Sequence, residues 1–197
     1  MQKECRWILK DPADEAKVER LSAEVGIDRV LAGLLVQRGV ETFDQARSFF
    51  RPSLEDLHDP FLMKDMDVAV ERLHKAVSDG EKILVYGDYD VDGTTAVALV
   101  YSFLRRFTKK VGFYIPDRFD EGYGVSVKGI EWAAENGYTL IITLDCGIKA
   151  IDKAARAKQM GIDMIICDHH LPEDEIPAAV AVLDPQARRL PLPVRRP

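Results

Sequence analysis

Three short apolar runs, each closed by an aspartate, constrain this chain more than any other feature: ILVYGD at 83–88, LIITLD at 140–145 and MIICD at 164–168. Runs of this length are too short for buried helices, and helix-length segments separate them. That pattern is the signature of a parallel sheet with crossover helices. Adding the runs at 112–115 and 180–183, the spacing predicts strands at 83–86, 112–115, 140–144, 164–167 and 180–183. Helices are predicted between them at 94–107, 125–136 and 149–159. The expected fold class is α/β.

Upstream the texture differs. Residues 11–79 read as helical throughout, opened by Asp11-Pro12 as a cap and punctuated by Gly26, Gly33, Gly39 and the RPS at 51–53. Downstream, ARRLPLPVRRP at 187–197 carries four arginines, three prolines and no acid. It reads either as a disordered tail or as a segment translated out of frame, since a one-base shift of a codon set for it spells RDDCPYPFED. The layout expected is a helical N-terminal region at 1–64, a catalytic domain at 65–186 and this atypical tail at 187–197.

Composition excludes several classes. With 27 Lys and Arg against 33 Asp and Glu, the formal charge of −6 argues against a polycation that coats nucleic acid, although a local basic groove is allowed. No apolar stretch approaches the roughly 20 residues of a spanning helix, and MQKECRWILKDPADE lacks the apolar core of a secretory signal. Cys5, Cys146 and Cys167 are odd in number and lack CxxC spacing, which indicates neither a disulfide framework nor a zinc ribbon. A soluble protein of the reducing cytoplasm is expected, with no membrane contact.

The strand-end acids carry the chemistry. In GDYDVDGTTA an extended backbone would turn Asp88, Asp90 and Asp92 to one side, where three carboxylates repel unless a cation sits among them. Gly93 and Thr94 then open a helix whose N–H groups suit a phosphate. DYDVDG also matches the opening of an EF-hand loop, but the bidentate Glu needed at its twelfth position is here Leu99. Walker A and dinucleotide fingerprints are absent. An isolated Asp145, or an isolated Asp168-His169-His170, reads equally as a helix cap or loop; it is their convergence on the carboxyl edge of one sheet that points to a site. Carboxylates with imidazole suit Mn²⁺ or Mg²⁺ better than Zn²⁺, and two such ions about 3.5–4 Å apart would serve phosphoester hydrolysis. Cys146 and Cys167 flank the acids but end buried strands, which favours packing over catalysis.

GDYDVDGTTA, LDCG and CDHH resemble the first three motifs of the DHH phosphoesterase family, and RGVETFDQARSFFRPSLEDLHDPFLMKDMDVAVERL and RFDEGYGVS resemble its RecJ branch. The resemblance spans about residues 7–185. It implies a parallel-sheet, Rossmann-like DHH domain preceded by a small helical region. It also implies a bacterial exonuclease that degrades single-stranded DNA from the 5′ end in recombination and repair. Carried over, Asp88, Asp90, Asp92, Asp145 and His169 hold metal, with Asp145 the bridge. His170 contacts the scissile phosphate, and Asp168 orients the histidines. Gly93, Thr94, Arg118, Gly122 and Gly124 line the substrate's path. Protein partners are not implied.

The family supplies a further metal-binding Asp about fifty residues beyond the DHH, together with additional domains. The expectation for these 197 residues is therefore weak metal binding and little processive digestion. Two alternatives stand beside this reading. One is a DHH phosphatase or oligoribonuclease acting on small nucleotides or pyrophosphate, whose members lack the helical extension. The other is a non-catalytic DHH-derived scaffold, which predicts eroded ligands, whereas every acid of the three motifs is present here.

Overall fold

A computed structural model describes Arg6 and residues 8–186, so the tail at 187–197 and Cys5 lie outside the described residues. The chain divides into one unit up to His58 and another from Asp59 onward.

The first unit packs three helices: α1 (Glu15–Val25), α2 (Arg29–Val36) and α3 (Phe43–Phe50). Their apolar stripes meet in a small core of Val18, Leu21, Ala32, Leu35, Val36, Val40 and Ala46. Two expectations need correcting here. The cap of α1 is Asp14, whose carboxylate accepts the N–H groups of Ala16 and Lys17, and not Asp11-Pro12. Helix is also not continuous to residue 79, for only two 3₁₀ turns, Leu54–Asp56 and Pro60–Leu62, lie between α3 and the next helix. Pro52 and Pro60 remove backbone donors in that stretch, and its apolar residues find no helical stripe to join.

In the second unit the elements run α4 (Met66–Asp79), β1 (Ile83–Gly87), α5 (Val91–Leu104), β2 (Val111–Tyr114), α6 (Val127–Glu135), β3 (Leu140–Leu144), α7 (Ile151–Gln159), β4 (Asp163–Cys167) and β5 (Ala181–Leu183). The five strands form one parallel sheet in the order β2-β1-β3-β4-β5. Side chains alternate across it. Leu84, Tyr86, Ile141 and Ile166 face Ile130 and Ala133 of α6 and Ala154 and Ala157 of α7. Ile83, Val85, Leu140, Ile142 and Ile165 face Ala69 and Ala76 of α4 and Val97 and Leu104 of α5. Burial on both faces explains why these strands read as continuous apolar runs.

One ionic cluster fastens the amino edge of the sheet. The Arg72 guanidinium on α4 reaches Glu81 at 2.8 Å and Asp163 at 2.6 Å, and Glu81 accepts the Thr139 hydroxyl at 2.6 Å. Arg72 thereby ties the starts of β1, β3 and β4 to one helix. The opposite edge is left to the acids.

Candidate metal centre

Strand register places the key acids. Gly87 pairs with Leu144, and Leu144 pairs with Cys167. The next residue on each of these neighbouring strands is an aspartate, so Asp88, Asp145 and Asp168 leave the sheet side by side.

After Gly87 the backbone does not stay extended, which corrects the expected alternation of Asp88, Asp90 and Asp92. Asp90 is instead the N-cap of α5, its Oδ1 accepting the Gly93 N–H at 2.9 Å, and the helix starts at Val91 rather than Thr94. An Asp three residues ahead of a helical N–H favours capping over another extended step. Asp88 is therefore buried at the strand end, whereas Asp90 and Asp92 are exposed in the first turn. Gly93 permits this close turn: a Cβ there would sit 2.5 Å from the Asp88 carbonyl oxygen and 2.7 Å from its nitrogen. The Gly93 N–H, expected to face substrate, donates to Asp90 in this structure. The Thr94 hydroxyl turns back to the Asp90 carbonyl at 2.6 Å.

Asp145 adopts φ 60°, a left-handed conformation that short polar side chains tolerate, and its N–H donates to the Cys167 carbonyl at 2.9 Å. One of its carboxylate oxygens lies 2.9 Å from His169 Nε2. Burial raises the Asp145 carboxyl above its ordinary range; the His169 contact opposes this and nearby Asp90 adds to it. Asp145, His169 and His170 offer ligand atoms that all lie within 4.8 Å of one another. The carboxylates of Asp88, Asp90 and Asp92 fall outside that tight set. Asp90 is nonetheless near enough to act on Asp145, and Asp92 lines one cleft with Asp145 and His169.

The Asp168 carboxylate is nearly fully engaged. Oδ2 accepts the Ile148 N–H at 2.9 Å, while Oδ1 accepts the N–H groups of His169 and His170 and pairs with His170 Nδ1 at 2.7 Å. Burial pushes this carboxyl up, but the hydrogen bonds outweigh it and hold it below the usual range. The same contact raises His170.

The segment between β2 and α6 brings Tyr123 against His170. Gly122 and Gly124 take φ 80° and 79° and turn the chain on either side of Tyr123. The Tyr123 hydroxyl comes within 3.5 Å of His170 Nε2, and its ring meets Tyr89 edge to face. Arg118 lies over the Tyr89 ring at 5.2 Å. Burial, followed by Asp88, Asp145 and Asp90, raises the Tyr123 phenol to about 12. Glu121 anchors the segment by accepting the Tyr114 hydroxyl, the Asp117 N–H and the Ser126 hydroxyl. Tyr86 anchors it again: its hydroxyl accepts the Ser126 N–H and donates to the Gly124 carbonyl. Tyr123, Glu121 and Tyr86 escaped sequence reasoning, although the glycines flanking Tyr123 were the available signal.

Burial raises the thiols of Cys146 and Cys167, the latter to about 12, which leaves no thiolate nucleophile near neutral pH and agrees with a packing role.

The residues present fit a divalent cation. Asp88 Oδ1 accepts the Tyr89 N–H, but its buried Oδ2 has no hydrogen-bond partner among the described residues. A buried carboxylate oxygen without a donor is costly, and a cation removes the cost. The donor set is oxygen with imidazole nitrogen and no thiolate aimed into it, as Mn²⁺ and Mg²⁺ prefer.

Comparison with known proteins agrees with this geometry. The DHH family, N-terminal domain, matches residues 82–190, which takes in all three motifs. The chain belongs to the DHH family. Among curated DHH relatives, the single-stranded-DNA-specific exonuclease RecJ of Bacillus subtilis is 43% identical over 92% of this chain and 23% of its own length. The RecJ of Salmonella typhimurium is 35% identical over 97% of this chain and 32% of its own length. This DHH chain thus spans about a quarter to a third of the curated relatives it matches. A crystal structure of exonuclease RecJ bound to manganese superposes with TM-score 0.62 at 31% identity, covering 68% of this chain and 34% of that one. RecJ of Thermus thermophilus with Mn²⁺ superposes with TM-score 0.64 at 25% identity, covering 86% and 23%.

Proposed function

We propose that this chain is the catalytic N-terminal portion of a RecJ-type exonuclease that hydrolyses single-stranded DNA from the 5′ end with two Mn²⁺ or Mg²⁺ ions, serving recombination and DNA repair in the cytoplasm. The observation that carries it is the convergence of Asp145, His169 and His170 within 4.8 Å, one strand over from Asp88, whose buried Oδ2 has no hydrogen-bond partner among the described residues.

Asp88, Asp90, Asp92, Asp145 and His169 would hold the ions, with Asp145 between them. When bound, the ions supply an activated water and neutralise phosphoryl charge. The His170 ring is fixed by Asp168 at Nδ1, which leaves Nε2 to donate to a phosphoryl oxygen. Its raised affinity for protons favours the donor form. Asp168 keeps the ring in place and touches no substrate. Arg118, Gly122, Gly124 and Thr94 border the path of the strand.

The test is digestion of 5′-labelled and 3′-labelled single-stranded DNA with Mn²⁺, alongside calorimetric Mn²⁺ titration of the chain and of Asp145→Ala. Mn²⁺ binding that Asp145→Ala abolishes, with release of mononucleotides from the 5′ end, supports the proposal. Cleavage of dinucleotides or pyrophosphate with longer DNA spared would replace it with a small-substrate phosphatase. Absence of Mn²⁺ binding would leave only a scaffold.

A further inference from the structure

The Asp168-His169-His170 segment separates two recesses of opposite charge. On the His169 side the cleft is lined by Asp92 and Asp145, with no Lys or Arg among the described residues that border it. On the His170 side a cavity of about 260 Å³ is bordered by Lys149 and Lys153, walled by Tyr123, Val125 and Ile148. Asp168 is the one acid in this second lining, and both of its oxygens are already engaged, by Ile148 and by the DHH segment itself. Lys153 shares its charge with Asp152 at 3.0 Å. Lys149 makes no ion pair among the described residues. Lys149 thus brings to this recess a positive charge that no described acid pairs, one that a bound anion can neutralise.

We propose that this cavity is an anion subsite that holds the phosphate of one nucleoside monophosphate, with Lys149 as its principal cation. The proposal rests on the nuclease reading for the origin of that ligand, the mononucleotide that hydrolysis releases, but not for the binding itself. Size selects a single unit: the cavity lies just below the roughly 300–1,000 Å³ of drug-sized ligand sites and has no room for a run of stacked nucleotides. Its chemistry is split to match. The ammonium of Lys149 is a point charge suited to phosphate. The Tyr123 ring, Val125 and Ile148 offer apolar cover to a sugar. Retention of the released nucleotide there would make it compete with the next DNA end, a product inhibition built into the His170 side of the site.

The experiment is calorimetric titration of the whole chain in EDTA with 2′-deoxyadenosine 5′-monophosphate, inorganic phosphate and unphosphorylated deoxyadenosine. The monophosphate is expected to bind without metal and the nucleoside not to bind. Lys149→Ala is expected to weaken binding about tenfold, the loss of one charge-assisted hydrogen bond. Lys149→Glu should abolish it, Lys149→Arg should restore most of it, and Lys158→Ala, on α7 outside the cavity, should leave it unchanged. Equal affinity for the nucleoside, indifference to Lys149→Glu, or no monophosphate binding at millimolar concentration would each overturn the proposal. Because metal is absent throughout, monophosphate binding that depends on Lys149 stands even if Mn²⁺-dependent digestion fails. Conversely, digestion that depends on Asp145 with no monophosphate binding removes the subsite alone.

Discussion

His170 Nδ1 lies 2.7 Å from Oδ1 of Asp168, a carboxylate whose side chain is 2% exposed and whose other oxygen is bonded to the Ile148 backbone. The imidazole is therefore held from behind by a group that is itself anchored to the first turn after β3. Its remaining nitrogen can face only Tyr123 and the open site.

Asp168→Asn removes that charge while keeping the shape. The Asp168 carboxylate raises His170 above its ordinary value, so its titration midpoint, followed by NMR of the imidazole, should fall in the variant. The raised His170 contributes stability fully below about 6.5, the unfolded value, and loses it as pH rises through the folded midpoint, whereas the depressed Asp168 loses its share as pH falls below about 4. A midpoint unchanged by the substitution would mean that the contact does not control the ring.

Asp90 has two separable duties. Asp90→Ala loses the cap on Gly93 and should cost about 0.5–2 kcal/mol in urea denaturation. Asp90→Asn retains a capping oxygen, so its stability should stay near native while Mn²⁺ affinity falls. Equal loss of stability in both variants would deny the cap.

Gly93→Ala drives a methyl group to 2.5 Å from the Asp88 carbonyl oxygen, backbone that cannot yield without moving the strand end. Overpacking of this kind costs about 1–3 kcal/mol, and the melting temperature read by circular dichroism should drop by several degrees. Mn²⁺ affinity should fall with it, because Asp88 is displaced.

Stability should hold a broad plateau in pH and fall at both ends. Arg72 holds the Glu81 carboxyl low; burial pushes Glu121 up, but hydrogen bonds from Ser126, Asp117 and Tyr114 outweigh it and hold it low too. Depressed carboxylates contribute above their unfolded values near 4 and lose that contribution as pH falls through the folded ones. On the alkaline side burial raises Tyr86, Tyr114 and Tyr123, the last two to about 12, so their contribution is lost as pH climbs beyond about 10. Thermal melts from pH 3 to 11 check both limbs, and Glu121→Gln should flatten the acid one.

Much of the sheet was legible because strands buried on both faces cannot hide: β3 falls where its apolar run predicts, and β1 and β4 differ by one residue at one end. The carboxyl edge was legible as well, since β1, β3 and β4 are each followed directly by an aspartate. What escaped was set by local competition or by distant contact. Whether Asp90 continues a strand or caps a helix is decided by one hydrogen bond to Gly93, and no periodicity records it. Tyr123 reaches His170 only because Glu121 and Tyr86 fasten a loop drawn from elsewhere in the chain, and Lys149 matters only beside the cavity that this loop encloses.

Pairing of Gly87, Leu144 and Cys167 on one rung carries a consequence for how such a chain can change length. One residue inserted within β3 would carry Asp145 about 3.3 Å along the strand and turn it to the opposite face. The same insertion in the connections at 108–110 or 136–138 leaves all three aspartates abreast. Linear distance between the motifs is thus free to drift, in nature or at an engineer's hands, while the strands themselves admit neither gain nor loss.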